Sequence, residues 1–192
     1  MKKEVLLVLL DEYSDWESAF LAGGLRAGGR YVPRVVGPTR EAVVSMGGFR
    51  TLPDYDLETL PKDYAAVVLI GGTGWQSKEA ERVVELVRSA RERRKVVGGI
   101  CNGASFLAAH GFLNDVRHTG NTLERLEEWG SERYTNRAGY VERQAVVDGG
   151  MVTANGTGYL EFARELLLLL EADEPERIEA DYTFQKRGLY TA

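Results

Sequence analysis

Cys101 is the chain's only cysteine, and its surroundings are those of a nucleophile. An apolar run over residues 96–100 breaks at Gly99-Ile100-Cys101-Asn102-Gly103 and leads straight into a helical pattern. That is the form of a nucleophile elbow with cysteine in place of serine. Glycines on both sides permit a sharp turn, so Cys101 is expected in a strained backbone region. The following helix would aim unpaired N–H groups and its positive dipole end at the sulfur. Such a setting favours thiolate and is expected to lower the thiol's pKa. The competing reading makes Cys101 a small buried hydrophobe. Strand, glycines and helix in the required order favour the nucleophile.

A nucleophile needs donors and proton carriers. Gly71-Gly72-Thr73-Gly74 closes another apolar run, and the N–H of Gly72 or Thr73, with that of Asn102, would make a two-donor oxyanion hole. The alternative is a plain strand-to-helix turn; a P-loop lacks its lysine, and the glycine spacing is wrong for a dinucleotide fold. Glu17, in Ser14-Asp15-Trp16-Glu17, opens a helix, where acids ordinarily complement the dipole. Facing the cysteine in an apolar pocket, it would have a raised pKa and donate a hydrogen bond to sulfur. The two histidines are His110 and His118. His110 ends the elbow helix beside Gly111 and reads as a surface residue. His118, after the returning segment, is expected to fold back over the sulfur and complete a Cys–His dyad. Trp16 and Trp75 are pocket-lining candidates or core, and Asn121 is a third candidate for the pocket. One cysteine and two histidines without close spacing argue against a metal site, and no motif calls for a cofactor.

Short apolar runs at residues 5–10, 31–36, 64–70 and 96–100 must hold these groups, and helical patterns separate most of them. The predicted helices cover residues 15–27, 79–93 and the elbow helix, then 121–129, 159–171 and 175–186. Hairpins are expected at 42–51 and across 140–147 and 151–154. The β-α-β rhythm points to an open, mainly parallel sheet with helices on both faces. In such sheets the working site lies beyond the carboxyl ends of the strands, where Glu17, Gly72 and Cys101 would converge.

Composition bounds the rest. The 192 residues suit one domain spanning 1–192, and 44% hydrophobic with 28% charged residues is ordinary globular composition. A net charge of −5 argues against nucleic acid and anionic membranes as partners. The apolar run at residues 5–10 is too short for a signal peptide and meets Asp11-Glu12 at once, and no run is long enough to span a membrane. A lone cysteine forms no internal disulfide, which suits a cytoplasmic location.

Ser14-Asp15-Trp16-Glu17, Leu69-Ile70-Gly71-Gly72, Gly99-Ile100-Cys101-Asn102-Gly103, Arg117-His118-Thr119-Gly120-Asn121 and Val152-Thr153-Ala154-Asn155-Gly156 together resemble the ThiJ/PfpI superfamily. Its bacterial YdeA-like members are the nearest branch. The resemblance implies a flavodoxin-like three-layer α/β sandwich of the class I glutamine amidotransferase-like type, commonly a homodimer, with a glutamate hydrogen-bonded to a reactive cysteine. It matches Glu17 to that glutamate, Cys101 to the nucleophile, His118 to the downstream histidine, and Gly72 and Asn102 to the oxyanion hole. No histidine lies beyond His118, where true glutaminases carry one, and Asn102 stands where PfpI-type proteases place a histidine. The expectation is a cysteine enzyme acting on a small carbonyl or amide-like molecule, glyoxalase III/deglycase-like or amidase-like. The alternatives are a non-catalytic oxidative-stress sensor using Cys101 oxidation, and a scaffold with a vestigial cysteine.

Overall fold

The computed structural model describes residues 2–189. Among the described residues nine strands run in chain order as β1 (Lys3–Val8), β2 (Tyr31–Gly37), β3 (Val43–Val44), β4 (Arg50–Thr51), β5 (Tyr55–Asp56), β6 (Ala66–Leu69), β7 (Val96–Ile100), β8 (Ala145–Asp148) and β9 (Met151–Ala154). The helices are α1 (Asp15–Gly28), α2 (Lys78–Glu81), α3 (Val84–Glu92), α4 (Asn102–Ala109), α5 (Leu123–Gly130), α6 (Tyr159–Leu169) and α7 (Pro175–Arg187). Seven strands form one sheet in the order β5-β2-β1-β6-β7-β9-β8. All neighbours in it are parallel except β8 and β9, while β3 and β4 make a separate hairpin.

The strands are apolar on both faces because both faces are covered. Leu6, Val8 and Leu10 point into a core with α3, α4 and α5, where Val87, Phe106 and Leu126 are buried. Val5, Leu7 and Leu9 alternate into the other core, against Leu21 and Leu25 of α1 and Phe162 and Leu166 of α6. The result is a three-layer α/β sandwich. Switches in strand order fall beside β1, and the carboxyl ends of β1, β6 and β7 open on one edge of the sheet, as the rhythm predicts.

Two predicted elements are shorter than expected. The helix anticipated over residues 79–93 is broken at Arg82 and Val83, whose N–H groups bond back to Glu79 and Ala80, three residues behind, at 3.2 and 2.9 Å. That tight turn keeps Ala80, Val83 and Val87 all facing the sheet. Of the strand anticipated over 140–147 only residues 145–147 pair with β9, and Asp148 joins them. Residues 140–144 are drawn off by hydrogen bonds to other loops, including Val141 N–H to His118 O at 2.8 Å. β5, two residues long, had no periodic signal to announce it.

Phe162 is fully buried, and its ring tip lies where a side chain on Gly98 would stand, 3.1 Å from that position. Phe162→Ala should therefore cost about 3–5 kcal/mol, read as a lower urea midpoint. The same truncation at Leu169, which is 38% exposed, should cost well under half as much.

Candidate active site

Three strand ends build the site. β7 delivers Cys101 in a left-handed backbone, φ 55° and ψ −123°, at the start of α4. This is the strained conformation expected of an elbow. The turn is closed by Cys101 N–H donating to Ala154 O at 3.0 Å, and by Ala104 and Ser105 N–H groups donating to Cys101 O.

Glu17 reaches the same point from α1. It is 1% exposed, and its Oε2 accepts the Gly71 N–H at 2.8 Å. Its other oxygen lies beside the sulfur: a Cβ on Gly156 would fall 3.2 Å from Cys101 Sγ and 3.4 Å from Glu17 Oε1. Gly71 is equally committed, since a Cβ there would stand 2.4 Å from Glu17 Oε2 and 2.6 Å from Cys101 Cβ. Gly71 leaves space that a side chain would fill at the carboxyl–sulfur contact, and Gly156 leaves the contact uncrowded.

Burial pushes the Glu17 carboxyl up to about 7, against the opposing pull of the Gly71 N–H and of the hydrogen bond with Cys101. Burial also pushes the Cys101 thiol above its ordinary value, and the Glu17 charge adds to this. The Asn121 amide and the Asn102 N–H pull the thiol the other way but do not prevail. The lowered thiol pKa expected from the elbow alone is thus reversed, first because the thiol is buried and second because an acid faces the sulfur. The two groups titrate as one dyad. A proton held on Glu17 removes the charge that opposes the thiolate and supplies a donor to it.

The structure does not bring His118 to the sulfur. The ring is fully buried, with Nδ1 2.8 Å from Val116 O and Nε2 2.7 Å from Tyr134 Oη. A carbonyl only accepts, so Nδ1 carries the proton and Nε2 accepts from the tyrosine. Both nitrogens are spent, which corrects the Cys–His dyad. His110 also departs from expectation: it is largely buried, packed on Phe106 with ring centroids 4.5 Å apart.

What the His118 loop delivers instead is Asn121. Its Nδ2 donates to Cys101 Sγ at 3.3 Å, and its Oδ1 accepts the Gly156 N–H at 2.9 Å. The Gly156 bond fixes which end of the amide faces sulfur, so Asn121 presents a donor. Its role was foreshadowed only as pocket lining; no residue-type rule distinguishes an asparagine that touches sulfur from one that caps a turn.

Asn102 and Gly72 do meet, through Asn102 Nδ2 donating to Gly72 O at 2.8 Å. Thr73 N–H is taken by Glu12 O at 3.2 Å. The Gly72 N–H has no partner among the described residues, so it is the spare donor of the two anticipated. Trp75 is core: 3% exposed, it donates to Ile70 O at 2.7 Å and packs on Phe106. Trp16 is 46% exposed and lines a separate groove with Phe20, Tyr159 and Phe184.

Residues 3–169 match the DJ-1/PfpI family, and the chain belongs to that family. It is 34% identical over 188 residues to the uncharacterized protease YdeA of Bacillus subtilis, covering 98% of this chain and 93% of that one. The crystal structure of the DJ-1 superfamily protein Atu0886 from Agrobacterium tumefaciens superposes with a TM-score of 0.88 at 36% identity, over 97% of this chain and 100% of that one. The glutathione-independent glyoxalase DJR-1.2 of Caenorhabditis elegans is 26% identical over 178 residues, covering 90% of this chain and 91% of that one. No helix among the described residues is long and apolar enough to cross a membrane.

The raised Glu17 value makes stability pH-dependent with a definite sign. The unfolded chain loses this proton near the ordinary value of 4.5, the native state only near 7. Between those values the native state binds more protons, so stability falls as pH rises through the window and levels off above it. The penalty is on the order of 3 kcal/mol. Glu17→Gln keeps the neutral form, so its Tm should gain on the wild type from pH 4.5 to 7 and hold that gain at pH 8. A Tm difference that stays flat across this range would show that Glu17 is not the buried acid described.

Proposed function

We propose that the protein is a cysteine-dependent enzyme acting on a small carbonyl or amide-like molecule. The observation that carries this is a strained, half-buried Cys101 whose sulfur is held between a protonatable carboxyl and an amide donor. The Cys101 sulfur adds to the electrophilic carbon of the substrate. The oxygen that gains charge is held by the Gly72 and Asn102 N–H groups. Glu17 Oε1 takes the thiol proton and returns it to the adduct, a task that a group titrating near 7 performs at neutral pH. His118 takes no part, since its ring nitrogens are engaged elsewhere.

The relative named a glutathione-independent glyoxalase supports α-oxoaldehydes as first substrates, giving a hemithioacetal on Cys101. The relative named a protease points instead to acyl compounds. A second reading rests on the same contact. A sulfur oxidised to sulfinate would accept a hydrogen bond from protonated Glu17, which suits an oxidative-stress sensor.

A screen of α-oxoaldehydes, small amides, isonitriles and peptides tests the enzyme reading. Turnover should vanish in Cys101→Ala and fall by roughly 10²–10⁴ in Glu17→Gln while the fold survives. Intact mass after graded peroxide, on the same preparations, tests the sensor. No wild-type turnover together with a Glu17-dependent arrest at sulfinate would transfer the assignment to the sensor.

A further inference from the structure

Asn121, whose Nδ2 donates to the Cys101 sulfur, also lines a cavity of about 750 Å³. This is ligand-sized and far larger than a three-carbon oxoaldehyde needs. Asn121 and Asn155 line it where it adjoins the cysteine loops, and the irregular segment Tyr140 to Gln144 lines it as well.

That segment is exposed yet held hard. Val141 N–H donates to His118 O at 2.8 Å, Thr119 Oγ1 to Arg143 O at 3.0 Å, and Asn155 N–H to Gln144 O at 3.2 Å. These bonds come from the two loops that cover the sulfur, so the wall and the nucleophile are one rigid unit. Glu142 and Arg143 nevertheless have side chains without any hydrogen bond or ion pair among the described residues, although both line the cavity. The third charged group on the wall, Glu124, is already committed: backbone N–H at its own helix start, then Thr122, hold its carboxyl below the usual range. One unspent cation and one unspent anion therefore line the same cavity, on a backbone held by these hydrogen bonds.

We infer that this wall recognises the zwitterionic head of an amino-acid-type substrate. Arg143 takes its carboxylate, Glu142 its ammonium group, and the reactive carbonyl is presented past Asn121 to Cys101. The inference rests on the nucleophile reading above and adds the substrate class to it.

The test uses alkylation of Cys101 in the full chain, which needs no turnover. Four N-substituted iodoacetamides of equal tail length are compared, with tails ending in methyl, carboxylate, ammonium or a free α-amino acid. Each rate is divided by that of plain iodoacetamide on the same protein. The amino-acid tail should react about tenfold faster than the methyl tail, the effect of a charge-assisted contact. Arg143→Gln should abolish the carboxylate tail's advantage, and Glu142→Gln the ammonium tail's. Equal rates for all four tails, or preferences that survive both substitutions, overturn the inference. A preference that holds while the substrate screen finds no turnover supports recognition and counts only against the catalytic reading. A Cys101 unreactive towards plain iodoacetamide overturns both.

Discussion

A carboxyl buried against a sulfur is the constraint around which this fold is arranged. An ionised pair of that kind, out of water, would be costly on both counts of desolvation and like charge. The dyad escapes by holding back a proton, and the protein must then keep the two groups in contact without flooding them. Gly71 does this by omission, since a side chain there would occupy the space of Glu17 and Cys101, and a Cβ on Gly156 would crowd the same pair. The Gly71 N–H occupies Oε2, which leaves Oε1 as the oxygen free to carry the proton. A single backbone hydrogen bond thus determines which way the acid points.

The surrounding loops serve the same contact. Ser14 N–H donates to Gly71 O at 2.9 Å and Thr73 N–H to Glu12 O, so the ends of β1 and β6 are sewn together where Glu17 departs. Asp11 and Asp15 then pin the β3–β4 hairpin, accepting the Val44 and Gly47 N–H groups at 2.8 and 2.9 Å. On the far side, Asn121 joins the loop after His118 to the loop after β9. The sulfur therefore lies between two reinforced walls rather than at the tip of a mobile loop. That rigidity suits a nucleophile whose geometry must be set before substrate arrives.

The elements that a local signal determines were legible. The elbow needs strand, glycines and helix within one short stretch, and the left-handed Cys101 follows from it. Glu17 was placed by the position of its helix at a strand end, and its raised pKa by the chemistry of burying a carboxyl. Long apolar runs gave the sheet, while the two-residue β5 and the break at Arg82 depend on tertiary packing that no periodicity carries. The direction of the thiol's pKa is not legible from the helix N-terminus alone, because burial of the sulfur, and then the acid opposite it, outweigh the helix. The role of Asn121 was hidden for a related reason: a side-chain amide says nothing of its partners until the loop is folded.

His118 shows how a residue type can mislead. Imidazole beside a primed cysteine suggests a base, yet a base must have a nitrogen to offer. Here Nδ1 is tied to Val116 O, Nε2 receives the Tyr134 hydroxyl, and the ring packs edge-on against Tyr134 and Tyr140. Burial further lowers its affinity for a second proton. Its backbone pairs with Gly139 and Val141, so the residue is a rivet between the Asn121 loop and the cavity wall. With imidazole withdrawn, the proposed reaction leaves proton transfer at the sulfur to a group that burial has brought to about 7. In that proposal the carboxyl takes the neutral-pH role usually given to histidine because the fold has desolvated it, not because of its residue type.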